Sequence, residues 1–277
     1  MSTAGSIAAA PPRLHPLNRD FRWEDASSDG LRRLSLAEVG EFNERGFFVH
    51  RDAFTPAEIA AVTAAIDPLE KATDDFVRDE KGGRHRLTTT GAITFTAHIV
   101  SKSPVLTAFA AHPVVKDICH DLIGDDVRLY WDQSVYKKTQ VPQEFPWHQD
   151  NGYTFIEPQQ YLTFWLPLVD VDEANGCPWI APGVHRLGTL EHWVTDIGLV
   201  CLREVPDAVP APARAGDIVV FSSLAPHRTG PNLKADTVRK AYILQYAPDG
   251  AKTTLRDGQV LRQDDPLRQF KILEHGV

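Results

Sequence analysis

From Asp126 onward the chain breaks into short β-prone runs separated by turn residues: Val127 to Tyr136, Tyr161 to Val171, Gly216 to Phe221 and Lys240 to Ala247. Runs of this length, rich in Val, Ile, Phe, Tyr and Trp, predict an antiparallel barrel or sandwich rather than a parallel sheet with crossover helices. Ahead of them lie two helix signals. Ser35 and Glu38 have the spacing of a capping box, Leu36, Val39 and Phe42 recur at helical intervals, and Gly46 ends the segment. Phe47-Phe48-Val49 then reads as a short buried strand. Thr55-Pro56-Ala57-Glu58 opens a second helix with an N-cap, a proline in the first turn and a reciprocal glutamate, and Ile59, Val62 and Ile66 form its apolar stripe.

No repeat, low-complexity tract or polar linker divides these helices from the strands. The expectation is one α+β domain, mainly β, over residues 35–277, with helices on its N-terminal flank. Residues 1–34 mix Pro, Ala, Ser, Arg and Asp without periodicity and predict a loosely ordered arm that drapes over the domain or lines its entrance. With 13 Phe, 6 Trp and 43% hydrophobic residues the chain has ample material for a core. Its 37 acidic and 29 basic residues give a net charge of -8, which argues against phosphate-backbone binding, so a small molecule is the expected partner and nucleic acid is not. Cys119, Cys177 and Cys201 are widely spaced, with no CxxC pair, and read as reduced thiols. Met1 to Pro12 has neither the basic region nor the apolar run of a signal peptide, and no stretch is long enough to span a membrane, so the expected location is cytoplasmic.

The chemistry is concentrated in a few positions. In Pro146-Trp147-His148-Gln149-Asp150 an imidazole and a carboxylate flank one residue, and in an extended strand they point to the same face. His227 follows the apolar run Asp217 to Phe221. Two histidines and one carboxylate on one side of a metal form a facial triad with open positions, the arrangement of non-haem Fe(II) oxygenases. Arg239 heads the strand Arg239-Lys240-Ala241-Tyr242-Ile243-Leu244-Gln245-Tyr246. Inside a barrel its guanidinium would need an anion to meet it; on the outside it would pair with Asp236 or Asp217, and the neighbouring Lys240 leaves either parity open.

The ordered set His148-x-Asp150, His227 and Arg239 in R-x-A-x-x-x-Q-Y, with Gly46-Phe47-Phe48-Val49 before the Thr-Pro-x-Glu helix start, resembles the phytanoyl-CoA dioxygenase family. Asn175-Gly176-Cys177-Pro178 through Pro182-Gly183-Val184-His185 is similar to that family's N-G-C-L-x-x-x-P-G-S-H segment, and the resemblance covers roughly residues 36 to 250. It implies a double-stranded β-helix, Fe(II) held by His148, Asp150 and His227, and 2-oxoglutarate and O₂ as co-substrates. The distal carboxylate of 2-oxoglutarate would lie on Arg239, with further contacts from Trp165 and Gln133. The family's K-P-P segment appears here as Lys137-Lys138-Thr139-Gln140-Val141-Pro142, so no lysine contact carries over, while the presence of Asp150 favours hydroxylation over halogenation. Two other readings keep the triad: a Zn(II) site activating water for hydrolysis, which leaves Arg239 without a role, and a catalytically silent barrel.

Around these positions, Trp147, Tyr153 and Phe155 are either pocket walls or plain core. His185 is expected near the site mouth, off the metal. Gly82 to Thr88 reads as a solvated loop or a lid whose Arg84 or Arg86 could meet an anion. His98, His112 and His120 are expected to be structural.

Overall fold

The structure is a computed structural model that describes residues 12–255 and 257–277. Both helix starts form as the capping signals predict. Helix α1 (Leu36–Arg45) is closed by the reciprocal Ser35–Glu38 box and ended by Gly46 at φ 83°, a left-handed position that glycine takes without strain. A Cβ there would also fall 2.5 Å from the His185 ring. Strand β1 (Phe47–His50) leads to α2 (Pro56–Glu80), capped by Thr55–Glu58 and longer than the apolar stripe suggested. Three short strands, β2 (Arg84–His85), β3 (Thr88–Thr89) and β4 (Ile93–Ala97), and two helices, α3 (Pro104–Ala110) and α4 (Pro113–Leu122), precede the long strand β5 (Val127–Lys137). After it come β6 (Phe145–His148), α5 (Asp150–Tyr153), β7 (Phe155–Glu157), β8 (Leu162–Pro167) and β9 (Pro178–Ile180). The chain continues through β10 (Trp193–Thr195), β11 (Gly198–Val200), β12 (Val209–Pro210), β13 (Ile218–Ser222), β14 (His227–Thr229), β15 (Arg239–Pro248), β16 (Lys252–Thr254), β17 (Val260–Arg262) and β18 (Lys271–Leu273).

The strands build the two facing sheets of a double-stranded β-helix. The larger runs β1-β13-β8-β15-β5-β4-β3-β2 and the smaller β12-β9-β14-β6, with antiparallel pairing throughout. Alternation sorts the side chains. Leu162, Phe164 and Leu166 of β8, Val220 of β13 and Tyr242 and Leu244 of β15 pack under the helices, while Trp165, Val219, Phe221, Ala241 and Ile243 point between the sheets. A register shift between Gln245 and Tyr246 lets β5 change parity, so Val127 and Leu129 share the helix side with Tyr136.

The described part of residues 1–34 departs from the loose arm expected of it. Asn18 donates to the carbonyls of Leu187 and Thr189, Glu24 and Gln160 exchange two hydrogen bonds, and Ala26 and Asn43 exchange two more. The backbone amides of Arg32, Arg33 and Leu34 all donate to the Asp121 carboxylate. The segment does drape over the domain, but single backbone groups meeting side-chain amides leave no periodic signature, so this anchoring is not readable from composition. Its first residues, 1–11, lie outside the described part.

Burial raises the Asp121 carboxyl, but the three amide donors outweigh it and its pKa lies below the ordinary value. A depressed folded pKa contributes stability that is complete above the unfolded value and is lost as pH falls through the folded one. Denaturant unfolding of wild type and Asp121→Asn at a series of pH values should therefore show a difference that is constant near neutrality and closes below about pH 4. A gap that persists unchanged in acid would mean the ionised carboxylate is not what anchors the arm.

Candidate metal centre

His148 ends β6 and Asp150 opens α5, with Gln149 extended between them at φ -108°, ψ 144°. The shared face expected of an extended strand thus survives at a strand-to-helix turn. Gln149 is pinned on all sides: its side-chain amide donates to Gly188 and Leu224 carbonyls at 3.0 and 2.6 Å, its carbonyl oxygen accepts from Leu190, and its backbone N–H donates to His192. Strand β14 begins with His227, paired directly opposite His148. The fold therefore closes the long sequence gap between the two imidazoles with one rung of a ladder.

The three side chains offer ligand atoms within 4.8 Å of one another, and each Nε2 lies 3.9 Å from Asp150 Oδ1. His148 Nδ1 donates to the Pro146 carbonyl at 2.8 Å and His227 Nδ1 to that of Ala225 at 3.1 Å, which leaves both Nε2 lone pairs turned toward the carboxylate. Burial, reinforced by the neighbouring imidazole, takes His148 down to about 3, and burial takes His227 down to about 4, so both rings are neutral ligands near pH 7. Burial pushes the Asp150 carboxyl up, against the hydroxyl of Thr163, which donates to Oδ2 at 2.5 Å. Thr163 in turn accepts from Gln245. Two neutral nitrogens and one buried carboxylate on a common side suit a divalent transition metal with open positions.

Thr163 fixes the carboxylate that such an ion would share. Thr163→Val keeps the volume and removes the donor, and it should weaken binding of Fe(II), followed anaerobically by calorimetry, by about 10- to 100-fold. Thr163→Ser should restore most of it, and an unchanged affinity in the valine variant would show that Asp150 needs no orienting partner.

The same cavity holds Arg239, fully buried, on the inward parity of β15. Its Nη1 donates to the Val135 carbonyl at 3.3 Å, and its Cζ lies 5.5 Å from the centre of the Trp165 ring. Nε and Nη2 have no partner. Burial lowers Arg239 to about 10, which still leaves it charged near neutrality. The alternative of an outer ion pair is thereby settled: Asp217 is taken by Arg51, and it is Lys240 that faces out, onto Asp67. Gln133 and Trp165 line the same cavity. Lys137, which the sequence left unplaced, is also fully buried; its ammonium donates to the Gly230 carbonyl at 2.6 Å, and burial beside Arg239 lowers it to about 6.

Other expectations separate. Tyr153 stands edge-on to His148 with ring centres 5.4 Å apart, beside the cavity rather than among the residues that line it. Trp147 instead stacks on Arg228 and Phe155 on His15, so neither lines the cavity. His185 is buried against Trp23 and the Asn43 carbonyl, under the arm rather than near the mouth. Its location follows from Gly46, whose missing side chain makes room for the ring. His112 caps α4 and pairs with Glu58, His120 pairs with Asp121, and His98 packs against Trp131. Arg84 donates to the Asp196 carbonyl, joining the β2–β3 hairpin to the β10–β11 hairpin. Missed from sequence were Thr163, Thr229, Phe145 and Phe95. Parity could have found the first two, each two residues from a named site position on the same strand.

Fold and site define a double-stranded β-helix with a two-histidine, one-carboxylate cluster and a buried, unanswered arginine in one cavity. The phytanoyl-CoA dioxygenase family model matches residues 42–241, more than half of the chain, and the chain belongs to that family. An ectoine dioxygenase of Sphingopyxis alaskensis is 26% identical over 205 residues, covering 71% of this chain and 59% of that protein. A phytanoyl-CoA dioxygenase of Arabidopsis thaliana is 26% identical over 138 residues, 48% of each chain. The chain thus spans about half the length of these relatives, 59% of one and 48% of the other. Among solved structures, a non-haem α-ketoglutarate-dependent carbocyclase of nogalamycin biosynthesis superposes with a TM-score of 0.67 at 24% identity, over 83% of this chain and 92% of that one.

Proposed function

We propose that this protein is an Fe(II)- and 2-oxoglutarate-dependent dioxygenase that hydroxylates a small-molecule metabolite, with His148, Asp150 and His227 as the iron ligands. The observation that carries the reading is Arg239: a charged guanidinium, buried with two donors unpaired, in the same cavity as the triad. A buried cation of this kind is costly unless an anion completes it, and its planar fork matches a carboxylate. A Zn(II) hydrolase would leave that cost unexplained. Family membership and the names of the relatives support the same chemistry.

Bound iron would supply the site at which O₂ is reduced at the expense of 2-oxoglutarate, releasing succinate and CO₂ and leaving one oxygen atom for the substrate. The chain's own contribution is orientation and dryness. Arg239 holds the far carboxylate of the co-substrate, with Trp165 against the guanidinium face and Gln133 as a neutral polar contact, so the keto acid end is directed at the triad. Thr163 and the two backbone carbonyls behind the imidazoles keep the three ligands in one orientation. The apolar side chains around them exclude water.

Anaerobic titration of the Fe(II)-loaded protein with 2-oxoglutarate, followed by admission of O₂, tests this. A weak visible charge-transfer band that saturates, then loss of the band with succinate formation, is the expected outcome. No band at saturating Fe(II) and 2-oxoglutarate would overturn the oxygenase reading in favour of a zinc site or a silent barrel.

A further inference from the structure

Phe145 and Phe95 line the cavity over the triad, and Tyr153 stands beside them. Phe145 meets the His148 ring edge-on at 4.8 Å, Phe95 lies 5.4 Å from Phe145, and Tyr153 lies nearly parallel to Phe145 at 17° with centres 6.5 Å apart. Above these rings two hairpins distant in sequence come together. A Cβ on Gly198 would fall 2.7 Å from Tyr153 Oη and 3.5 Å from both Leu87 Cδ2 and Phe145 Cε2, so β10–β11 and the loop after β2 share one spot over the rings. Arg84 joins the hairpins through the Asp196 carbonyl, and Tyr153 Oη accepts from the Leu199 amide at 3.2 Å.

The charge inventory of this cavity is short. Among the described residues that line it, Asp150 and Arg239 are the only charged groups; the two imidazoles are neutral, as are the other polar side chains, Gln133, Thr163 and Thr229. Iron would answer Asp150 and the co-substrate would answer Arg239, so nothing is left to meet a charge on a third molecule. An ionised group brought here would lose its water without compensation. The cavity has a volume of about 50 Å³, far below what a drug-sized ligand occupies, so a substrate extends beyond it, over Phe145 and toward the two hairpins.

Resting on the function proposed above, we infer that the substrate is an uncharged, ring-bearing molecule that stacks on Phe145 and Tyr153 under a two-hairpin lid latched by Arg84. Phe145 is the specificity-determining residue, because it touches His148 on one side and the lid contact on the other. Planar rings gain from offset or edge-on contact with these walls, whereas anionic conjugates such as acyl-CoA thioesters or nucleoside diphosphates find no partner. The free hydrogen of the Tyr153 hydroxyl, given to none of the described residues, is available to a carbonyl or ether oxygen on the substrate.

The test uses 2-naphthol, its anionic counterpart 2-naphthoate and the cation phenyltrimethylammonium as probes, titrated by fluorescence or calorimetry into full-length protein loaded anaerobically with Fe(II) and saturating 2-oxoglutarate. The expected result is binding of 2-naphthol, with the anion and the cation each weaker by at least about tenfold. Phe145→Ala should weaken 2-naphthol by about tenfold. Leu87→Asp, on the lid, should do the same while the charge-transfer titration with 2-oxoglutarate is unchanged, and it serves if the Phe145 variant fails to fold. Equal or tighter binding of either charged probe, absence of 2-naphthol binding, or 2-naphthol binding indifferent to both substitutions would overturn the proposal. Those failures leave the 2-oxoglutarate band in place. Loss of the band with 2-naphthol binding retained in metal-free protein would instead remove the oxygenase reading and keep the ring pocket.

Discussion

Arg239→Ala should raise the concentration of 2-oxoglutarate needed for half-saturation of the Fe(II) protein by about 100- to 1000-fold, while Fe(II) binding itself stays near wild type. The guanidinium has two unpaired donors, and each hydrogen bond to a charged group is worth roughly 1.5 to 3 kcal/mol, so losing both at the lower end of that range costs about 3 kcal/mol, more than 100-fold in affinity. Stability should move the other way or not at all. Without an anion, Arg239 is a fully buried cation facing only the Val135 carbonyl and the Trp165 ring, and removing it relieves that cost in the unliganded protein. Arg239→Lys should fall between, because an ammonium supplies charge without the planar fork. The decisive pair of measurements is the 2-oxoglutarate titration and the unfolding midpoint of the same sample. A binding defect with an unchanged or higher midpoint assigns the arginine to the co-substrate, and a midpoint that drops in parallel makes it a structural residue.

The second large effect falls on the metal. Asp150→Asn preserves size and can still accept from Thr163, but it removes the only negative charge among the three ligands. Wild-type protein at an Fe(II) concentration about 1000 times its Kd should gain about 4 kcal/mol over the metal-free form, and in the variant that gain should all but vanish. Metal-free Asp150→Asn should be at least as stable as metal-free wild type. Burial already pushes the carboxyl up, so ionising it costs more in the folded protein than in the unfolded chain. Anaerobic thermal unfolding with and without Fe(II) measures both differences together. An Fe(II)-dependent gain that survives in the variant would show that the ion is held elsewhere.

The effects share a cause visible in the geometry. Arg239 and the two imidazoles are placed where a folded chain without ligands gains least from them: a buried cation with two unpaired donors and two lone pairs facing a carboxylate. Local violations of burial rules of this kind mark sites where stability is given up for function. The neutral, apolar remainder of the cavity, and the hairpins over it, carry the same logic to the substrate.

The sequence by itself determined the helix starts, because capping boxes at Ser35–Glu38 and Thr55–Glu58 are local hydrogen-bond patterns that need no tertiary partner. It also determined the long strands β5, β8, β13 and β15 to within a few residues, since short runs rich in β-branched and aromatic residues between turn residues are a local signal. The candidate metal ligands were legible as a motif, His148-x-Asp150 with a later His227, and Arg239 as a candidate anion partner. Only the tertiary structure decided that Arg239 and not Lys240 faces inward, because adjacent strand residues differ by a half-turn and both are basic. It alone closed the distance from His148 to His227, a cross-strand pairing that no local interaction encodes. The arm, the burial of Lys137, the placement of His185 under Trp23 and the meeting of Leu87, Phe145 and Gly198 were equally beyond reach of the sequence. Each depends on which segments of a non-local antiparallel fold come to lie side by side, and turn-rich loops carry no periodicity from which that could be read.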